Sequence, residues 1–317
     1  KVITAKKIKF YPINAGRLQR KFTKYTIPSL LKIPIGFFQS IIYLLTIRPN
    51  IVVSFGGYLS CPVIIAAWLF GIKSITHEQS IIPGLANKIN SIFVEKIYLS
   101  WKESEKYFDQ KKTQTIGNLV RDDIYSTKSS SKKITTFLKK AKKTIYITGG
   151  NQGSHAINSL ILNSLKIFKN YSLIHQVGAT NFMGDLEKAN NVKSNNYLPI
   201  DFIDSDNLGA VLNYADFVIS RSGANTIWEL AALAKPAILI PLPTSADNEQ
   251  FHNASILKDA GCAIVIEQQY LSTEKLKLAI EKMENNLNDY KSAAKNFQKS
   301  LPKNASLKLK QEILRYT

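Results

Sequence analysis

Residues 217–240 read FVISRSGANTIWELAALAKPAILI. A short apolar run from Phe217 to Ser220 gives way to small and polar residues, and a helix-like stretch from Thr226 to Ala234 follows. A second apolar run, Ala237 to Ile240, comes directly after Pro236. This order of strand, helix and strand predicts two parallel strands of one sheet, joined by a helix.

Three further segments show the same alternation. Short apolar runs precede helix-like stretches at residues 51–54 and 62–70, at 144–148 and 155–168, and at 237–240 and 250–260. Alternation of this kind predicts an α/β fold, in which helices cover both faces of parallel sheets. In such folds the binding sites lie at the carboxyl ends of the strands. We therefore expect a site in the turns that follow the strands.

The length of the chain predicts two domains, because 317 residues are too many for one small core. A polar, Ser-rich and charged segment, Tyr125 to Lys133, separates two series of strands and helices. We predict two doubly wound domains, at residues 1–121 and 122–301. Apolar residues at roughly helical spacing from Ser306 to Tyr316 predict that the chain ends as a helix.

The composition is that of an ordered and strongly basic chain, since 45% of its residues are apolar and its formal net charge is +19. The charge fits anionic lipid surfaces and phosphorylated substrates, and equally a bias in genome base composition. The lysines are spread along the chain without a nucleic-acid-binding motif, which makes nucleic acid the least favoured partner. Cys61 and Cys262 lack metal-ligand spacing, which favours a reducing, cytoplasmic setting.

An apolar stretch from Ile33 to Leu45 follows a group of basic residues. It is shorter than the roughly 20 apolar residues of a spanning helix, and Pro34 and Gly36 interrupt it. The basic residues before it are Arg17, Arg20, Lys21, Lys24 and Lys32. The combination is typical of a helix seated on an anionic membrane surface, and a buried helix with a solvated basic flank is the alternative.

Two segments in the first half follow predicted strands. Residues 54–60, SFGGYLS, carry paired glycines that suit either close approach to a ligand or a tight turn. Residues 76–80, THEQS, follow a strand predicted from Ile72 to Ile75, which makes His77 and Glu78 candidate cleft residues. His77 is a candidate acid or base near neutral pH, and a structural histidine whose loop is held by Glu78 is the alternative.

A Gly-rich turn, TGGNQGS at residues 148–154, lies between a predicted strand and a predicted helix. Backbone N–H groups and a helix N-terminus suit a phosphate. The turn has neither the Gly-Lys-Ser/Thr ending of a Walker loop nor the Rossmann glycine spacing. It indicates a phosphate site or a plain structural turn.

The turn inside residues 217–240 carries the most informative pattern. Ser222 and Gly223 lie at a predicted helix start near Ala224, where N–H groups without intrahelical partners suit a diphosphate. Glu229 lies about one and a half turns into that helix, and its carboxylate suits the two hydroxyls of a ribose. A capped helix with an exposed glutamate is the alternative.

A Pro-bounded loop after Ile240 leads into another helix. Glu249 and Gln250 carry acid and amide groups of the kind that recognise sugar hydroxyls. The alternative is a helix start capped by Ser245 or Asp247.

Taken together and in order, these segments resemble the MurG family of glycosyltransferases over essentially the whole chain. The resemblance rests on SFGGYLSCP (54–62), HEQSIIPGLANK (77–88), GNLVRDD (117–123), ITGGNQGSHAIN (147–158), SRSGANTIWELAALAKPAILIPLP (220–243) and DNEQFHNA (247–254). It implies a GT-B architecture, in which two Rossmann-like domains face a cleft. It also implies that the last helix, residues 302–317, packs back on residues 1–121.

The same resemblance implies an inverting hexosyltransferase of peptidoglycan biosynthesis, a process linked to cell shape and division. Such an enzyme transfers GlcNAc from UDP-GlcNAc to undecaprenyl-diphosphate-MurNAc-pentapeptide (lipid I), giving lipid II, without a metal or other cofactor. The donor would bind residues 122–301. The enzyme would sit peripherally on the cytoplasmic face of the bacterial cell membrane, near other cell-wall synthesis proteins, which favours the membrane interpretation of Arg17 to Leu45.

The family's donor-binding positions carry over to individual residues. Glu229 matches the ribose-binding glutamate, Ile203 matches a uracil contact made by the backbone, and Arg121 matches a donor-binding arginine. The diphosphate-binding turn matches Ala224, Asn225, Thr226, Ile227 and Trp228, and the residues that contact the sugar hydroxyls match Glu249 and Gln250. Ser80 replaces a family asparagine near the sugar, and Asn151 replaces a serine near the phosphates.

One departure concerns the catalytic base. Family members open with a Gly-rich GGTGGH turn whose histidine is the proposed base, and no such turn occurs in this sequence. Lys1 falls near the family's third strand, so the first domain is expected to be incomplete, and His77 is the remaining candidate base. Two alternatives stay open: another GT-B transferase with a different UDP-sugar or lipid, and a non-catalytic nucleotide-sugar-binding membrane module.

Overall fold

A computed structural model describes residues 8–16 and 26–316, without the side chains of residues 26–31. The chain divides into two compact units, one formed by residues up to Asn118 together with those from Pro302, and one formed by Leu119–Leu301. The strand expected directly after Lys1 and the basic residues between Arg17 and Lys24 lie outside the described residues.

The first unit contains a four-stranded parallel sheet in the order β1-β2-β3-β4. Its elements up to residue 115 are α1 (Thr26–Ile47), β1 (Ile51–Ser54), α2 (Ser60–Leu69), β2 (Lys73–Glu78), α3 (Leu85–Phe93), β3 (Lys96–Leu99) and β4 (Thr113–Thr115). Strand β2 extends further than the sequence predicted, because Ile75 to Glu78 remain paired with Lys96 to Leu99 of β3. His77 and Glu78 therefore lie within the strand and not in the turn after it.

The second unit contains a six-stranded parallel sheet in the order β10-β9-β8-β5-β6-β7. Its helices are α4 (Lys132–Lys140), α5 (His155–Asn163), α6 (Asp185–Asn190), α7 (Ser205–Tyr214), α8 (Ala224–Ala232), α9 (Glu249–Asp259), α10 (Thr273–Asn285) and α11 (Leu287–Ser300). Its strands are β5 (Thr144–Thr148), β6 (Ser172–Gln176), β7 (Tyr197–Ile200), β8 (Phe217–Ser220), β9 (Ala237–Leu239) and β10 (Ala263–Val265). The predicted unit of residues 217–240 is thus present as β8, α8 and β9.

The order of this sheet reverses between β5 and β8. After β5 the chain moves to β6 on one side, and after β8 it moves to β9 on the other. Such a switch point opens a crevice at the carboxyl ends of the two strands, where α/β proteins bind their ligands. The two turns that flank this point are residues 149–154 and 221–223.

Burial on both faces explains the apolar strands of the second unit. All five residues of β5 are buried, and Ile145 and Ile147 belong to one core with Ile219 and Ile238 of the neighbouring strands. Parallel strands covered on both faces need continuous runs of apolar, often β-branched residues. The core therefore lies around the central strands, and the polar residues are left to the turns.

The last helix, α12 (Ala305–Leu314), belongs to the first unit. Lys96 Nζ of β3 lies 3.7 Å from Glu312 Oε2, and Arg315 Nη1 lies 2.6 Å from Glu312 Oε1. The first of these pairs links the last helix to β3, whereas the second lies within the end of the chain; Ala305 and Leu309 of the helix are buried.

Two glycines bring the backbones of two turns of the second unit into direct contact. A Cβ on Gly153 would lie 2.2 Å from Val177 O, and one on Gly178 would lie 2.3 Å from Gly153 Cα. Both residues also have positive φ angles, +83° and +114°. The turn after β5 therefore packs on the turn after β6 at a distance that no side chain permits.

We expect Gly153→Ala to lower the free energy of unfolding more than Gly150→Ala. Both residues have positive φ, which costs alanine about 1–2 kcal/mol, but a Cβ on Gly150 meets nothing within 4 Å. Only Gly153→Ala adds an overlap with Val177 O, for about 1–3 kcal/mol more. Urea unfolding of both variants measures the difference, and equal losses would contradict the proposed backbone contact.

Candidate functional site

The start of helix α8 is open at the switch point. Gly223 is the N-cap residue and supplies no capping side chain, and the first intrahelical hydrogen bond runs from Ile227 N–H to Gly223 O at 3.0 Å. A Cβ on Gly223 would meet nothing within 4 Å, so the space before the helix is clear. The N–H groups of Ala224 and Thr226 precede that first bond, and the positive end of the helix dipole lies with them. Such a helix start suits an anionic group.

Three residues predicted to line this turn have buried side chains. Ser222 is fully buried, and its Oγ donates to Gln250 O at 2.6 Å while its carbonyl accepts from Asn253 Nδ2 at 3.3 Å. Ile227 and Trp228 face the core, and the N–H of Ile227 already bonds within the helix. Ser222 thus anchors the turn, and Ile227 and Trp228 pack in the core, while the predicted contact of these three residues with a diphosphate stays a prediction.

Arg121 and Glu229 come together although 108 residues separate them. Arg121 Nη2 donates to Glu229 Oε1 at 3.4 Å, and the two side chains are 44% and 20% exposed. Burial raises the pKa of Glu229, and the Arg121 guanidinium opposes that rise. Helix α8 therefore carries both an open N-terminus and the partly buried carboxylate of Glu229, and the guanidinium of Arg121 lies next to one oxygen of that carboxylate.

A close backbone contact fixes the position of Arg121. The residue precedes a short 3-10 helix, Asp122–Tyr125, and a Cβ on Gly209 of α7 would lie 2.3 Å from Asp123 O. Asn213 Nδ2, one turn further along α7, donates to Ile124 O at 2.9 Å. The turn after Arg121 is therefore clamped to α7.

The loop before α9 is held in an unusual backbone conformation. Asp247 and Asn248 have φ angles of +51° and +53°, which are strained for residues other than glycine. Gln250 Oε1 accepts the N–H of Leu242 at 3.0 Å, and Ser245 Oγ accepts the N–H of Gln250 at 3.3 Å. These bonds fix the conformation of the loop. Because Oε1 of Gln250 is engaged, its NH2 group is the part of the side chain that can donate to a ligand.

Glu249 and Asn151 follow two different strands of the second sheet, β9 and β5. Glu249 is the first residue of α9 and is partly buried. Asn151 is exposed in the Gly-rich turn after β5, where its carbonyl accepts the N–H of Ala179 at 3.0 Å. Its side chain therefore lies on the surface of the turn, at the carboxyl edge of the sheet.

Ile203 presents its backbone and not its side chain, which is buried. The N–H of Ile203 donates to Gln176 Oε1 at 3.2 Å, and Tyr146 Oη donates to the same oxygen at 3.1 Å. The N–H is thus engaged, which leaves the carbonyl as the backbone group that can meet a ligand. A cavity of about 420 Å³, lined in part by Phe202, Ile203 and Asp204, adjoins this position.

In the first unit, His77 lies within strand β2. Its side chain is fully buried, Nε2 lies 2.9 Å from Gly117 O, and Nδ1 has no partner among the described residues. Burial lowers the pKa of His77, so the ring stays neutral near pH 7. Because the longer β2 includes His77, its burial favours the alternative of a structural histidine, and a role as acid or base stays a prediction.

Glu78 organises the turn that follows β2. Its carboxylate accepts the N–H groups of Gln79, Ser80 and Gly84 at 2.8, 2.9 and 3.1 Å, and Asn87 Nδ2 at 2.9 Å. Its side chain is buried, as is that of Ser80. The alternative considered for the sequence, in which Glu78 holds the loop, describes this geometry. Sequence reasoning missed Asn87, although the HEQ…LAN spacing contained it.

Sequence reasoning also missed Arg221, which is buried between the turns of the second unit. Its place in the sequence, directly before Ser222 and Gly223 at the predicted helix start, was the signal that could have identified it. Among the described residues, no group of three or more His, Cys, Asp or Glu side chains is placed to hold a metal ion.

Solved structures share this fold. A crystal structure of MurG from Acinetobacter baumannii matches with a TM-score of 0.72 at 22% identity, covering 99% of this chain and 86% of that one. The glycotransferase of kitacinnamycin matches with a TM-score of 0.73 at 15% identity, covering 99% and 88%. The expected two-domain GT-B fold, with two Rossmann-like domains, is confirmed.

Proteins found by sequence comparison are more similar to this chain than these structures are, with identities of 32–36%. The UDP-N-acetylglucosamine–N-acetylmuramyl-(pentapeptide) pyrophosphoryl-undecaprenol N-acetylglucosamine transferase of Halothermothrix orenii is 36% identical over 300 residues, covering 92% of this chain and 80% of that protein. The Staphylococcus aureus protein of the same name is 32% identical, covering 94% and 82%. The models of the N-terminal and C-terminal domains of glycosyltransferase family 28 match residues 1–99 and 144–309. The chain therefore belongs to glycosyltransferase family 28 and, within it, to the MurG family.

Proposed function

We propose that this protein transfers GlcNAc from UDP-GlcNAc to undecaprenyl-diphosphate-MurNAc-pentapeptide (lipid I), and so forms lipid II for peptidoglycan synthesis. It is a UDP-GlcNAc-dependent hexosyltransferase. Relatives named for this reaction match more than nine-tenths of the chain at 32–36% identity. In the structure, the observation that carries the proposal is the open start of α8 at the switch point of the sheet, on the same helix that carries Glu229 and its partner Arg121.

In the proposed reaction, a hydroxyl of the acceptor sugar attacks the anomeric carbon of GlcNAc. The bond from that carbon to the diphosphate oxygen breaks, the configuration inverts, and the hydroxyl proton passes to a base. UDP leaves as an anion. The N–H groups of Ala224 and Thr226 and the positive end of α8 stabilise the developing charge on the diphosphate.

Glu229 binds the ribose in this proposal. A carboxylate accepts about four hydrogen bonds, and Arg121 occupies one position on Oε1. The remaining positions accept the two ribose hydroxyls without displacing Arg121. The guanidinium then lies beside the nucleotide, where it holds Glu229 in its charged form and attracts the diphosphate.

The other groups of the second unit fit the remaining parts of the donor. The carbonyl of Ile203 accepts the N3–H of uracil, because its own N–H is engaged by Gln176. The NH2 of Gln250 and the carboxylate of Glu249 bind hydroxyls of the GlcNAc ring, and Asn151 donates to the diphosphate. Ser80 in the first unit is assigned to the sugar only through the family resemblance, since its side chain is buried.

We place the protein peripherally on the cytoplasmic face of the cell membrane. Within the described part of the chain, no helix has the length and apolarity needed to cross a bilayer. Helix α1 packs Phe37 and Ile41 on α2, and on another side it exposes Phe38 and Ile42, which are 63% and 60% accessible. Ile35 and Leu45 extend this exposed apolar stripe. An apolar helix face on a chain of net charge +19 suits an anionic lipid surface.

The transfer itself is tested by incubating the protein with labelled UDP-GlcNAc and a lipid I analogue. We expect a labelled lipid II analogue, and no comparable product from UDP-galactose. Binding of UDP-GlcNAc without any transfer would contradict the proposed reaction and favour a binding module.

Glu229→Ala is expected to weaken UDP-GlcNAc binding roughly 10- to 100-fold, because hydrogen bonds to a charged group contribute about 1.5–3 kcal/mol. Titration calorimetry measures the loss. Glu281→Ala is the control, since that glutamate lies on α10 with a side chain 51% exposed. Unchanged affinity of the Glu229 variant would remove the ribose assignment.

Glu229→Gln is expected to raise the free energy of unfolding at pH 7. Burial raises the pKa of Glu229, so the folded state binds its proton more readily than the unfolded state and ionisation lowers stability as pH rises. The advantage of the glutamine should therefore shrink as pH falls into the range where Glu229 is protonated. Urea unfolding between pH 4 and 7 tests this, with Glu281→Gln as control. A gain that is independent of pH would show that ionisation is not its cause.

Replacing both Phe38 and Ile42 by Ser should weaken binding to phosphatidylglycerol vesicles by roughly tenfold or more, because the variant loses two large apolar side chains. Leu307 and Leu314 of α12, which are 52% and 58% accessible, provide a matched double Ser control outside the stripe. Vesicle co-sedimentation measures both variants. Equal loss in the two would speak against α1 as the membrane contact.

A further inference from the structure

Arg221 connects the turns at the carboxyl edge of the second sheet. Its Nη1 donates to Ile240 O at 3.0 Å and to Pro241 O at 3.2 Å. Its Nη2 donates to Ser154 Oγ at 2.7 Å and to Gln268 Oε1 at 2.5 Å. The guanidinium thus joins the ends of the turns after β5, β9 and β10 to the turn after β8, in which Arg221 itself lies.

Every one of these partners is electrically neutral. They are two backbone carbonyls, a hydroxyl and an amide oxygen, and Arg221 forms no ion pair with any described carboxylate. The residue is only 9% exposed. Burial lowers its pKa to about 10, which still leaves the guanidinium charged at neutral pH. A buried cation normally has an anionic partner, because removing a charge from water is costly.

The position of this charge indicates which part of the second unit its positive potential favours for an anion. Arg221 directly precedes Ser222 and Gly223, so its charge lies at the foot of the turn that leads into α8. Ser222 in turn fixes that turn to α9 through Gln250 and Asn253. The positive potential of the guanidinium therefore adds to that of the helix start at the carboxyl edge of the sheet. The guanidinium itself faces the loops to which it is hydrogen-bonded.

We propose that Arg221 is a positioning residue of the donor site: it holds the four turns in register, and its uncompensated buried charge makes the α8 turn selective for a diphosphate. The inference rests on the proposed function, since it takes the nucleoside diphosphate to be the anion that balances the charge. Arg221 acts through the turns and through its field, and it makes no contact with the ligand.

Gln268→Glu separates the charge of Arg221 from its structural bonds. The change keeps an oxygen acceptor in place on Nη2 and adds a negative charge beside the guanidinium. The new ion pair should leave the melting temperature unchanged or raise it. It should also weaken UDP binding roughly tenfold or more, because the field at the turn is neutralised, while uridine binding stays the same.

The dissociation constants of UDP and uridine are measured by competition against labelled UDP-GlcNAc, and the melting temperature is measured on the same samples. Gln269→Glu is the matched control, since it adds the same charge on the neighbouring exposed residue, whose Nε2 bonds to Glu267. It should leave the ratio of UDP to uridine affinity within about twofold of the parent, because an exposed charge is screened by water and salt.

The inference would be overturned by an unchanged ratio of UDP to uridine affinity in Gln268→Glu, or by a parallel loss of both ligands. Arg221→Met should reproduce the selective loss of UDP binding. Arg221→Lys keeps the charge and should keep most of the ratio of UDP to uridine affinity, so the inference can still be tested if the methionine variant does not fold. A lysine variant as unselective as Gln268→Glu would also overturn it. If the unmodified protein bound neither UDP nor UDP-GlcNAc, the proposed function would fail first, so the two failures are distinct.

Discussion

The pairing of β5 with β6 on one side and β8 on the other is the constraint on which the second unit depends. It forces the chain to leave the two central strands in opposite directions, so their following turns diverge and leave a crevice at the carboxyl edge. The groups of this unit proposed to bind the diphosphate and the GlcNAc ring, on Ala224, Thr226, Glu249, Gln250 and Asn151, lie on turns or helix starts at that edge. The buried isoleucines of the strands provide the rigid base against which those turns are fixed.

The polar groups in the turns of the two units differ in how their hydrogen bonds are satisfied. In the first, the turn after β2 is satisfied from within, since Glu78 accepts four donors and Thr76 Oγ1 donates to Asn87 at 2.7 Å. In the second, the polar groups are arranged by Arg221 and Gln250 so that a helix start stays open. A closed network stabilises the fold, whereas an open one leaves donors for a ligand.

Local pattern was enough to predict the alternating elements, because apolar runs, glycine turns and helical spacing are properties of adjacent residues. The start of α8 at Ala224 and the turn after β5 were placed correctly for that reason. The end of β2 was not, because pairing with β3 extends it to Glu78 and no local signal marks that pairing. For the same reason, the burial of His77 was not predicted from the sequence.

Long-range contacts lay beyond sequence reasoning of this kind. Arg121 and Glu229 were each assigned to the donor by resemblance, but their mutual contact depends on Gly209 and the clamp of its turn on α7. The inward orientation of Ser222 and the neutral surroundings of Arg221 are likewise products of packing between turns far apart in sequence. Residue type indicates what a side chain can do, and only the fold shows which neighbour has already engaged it.

The contact of Gly153 with Val177 and Gly178 also bears on the kinetics of ligand entry. Two turns whose backbones touch move as one body, so the Gly-rich turn has little freedom to rearrange around the phosphate that we propose it binds. Its conformational entropy is lost when the chain folds and not when the ligand binds, which makes the turn preorganised. Association should therefore be a single fast step at this turn, with differences in affinity between ligands expressed mainly in how slowly they dissociate.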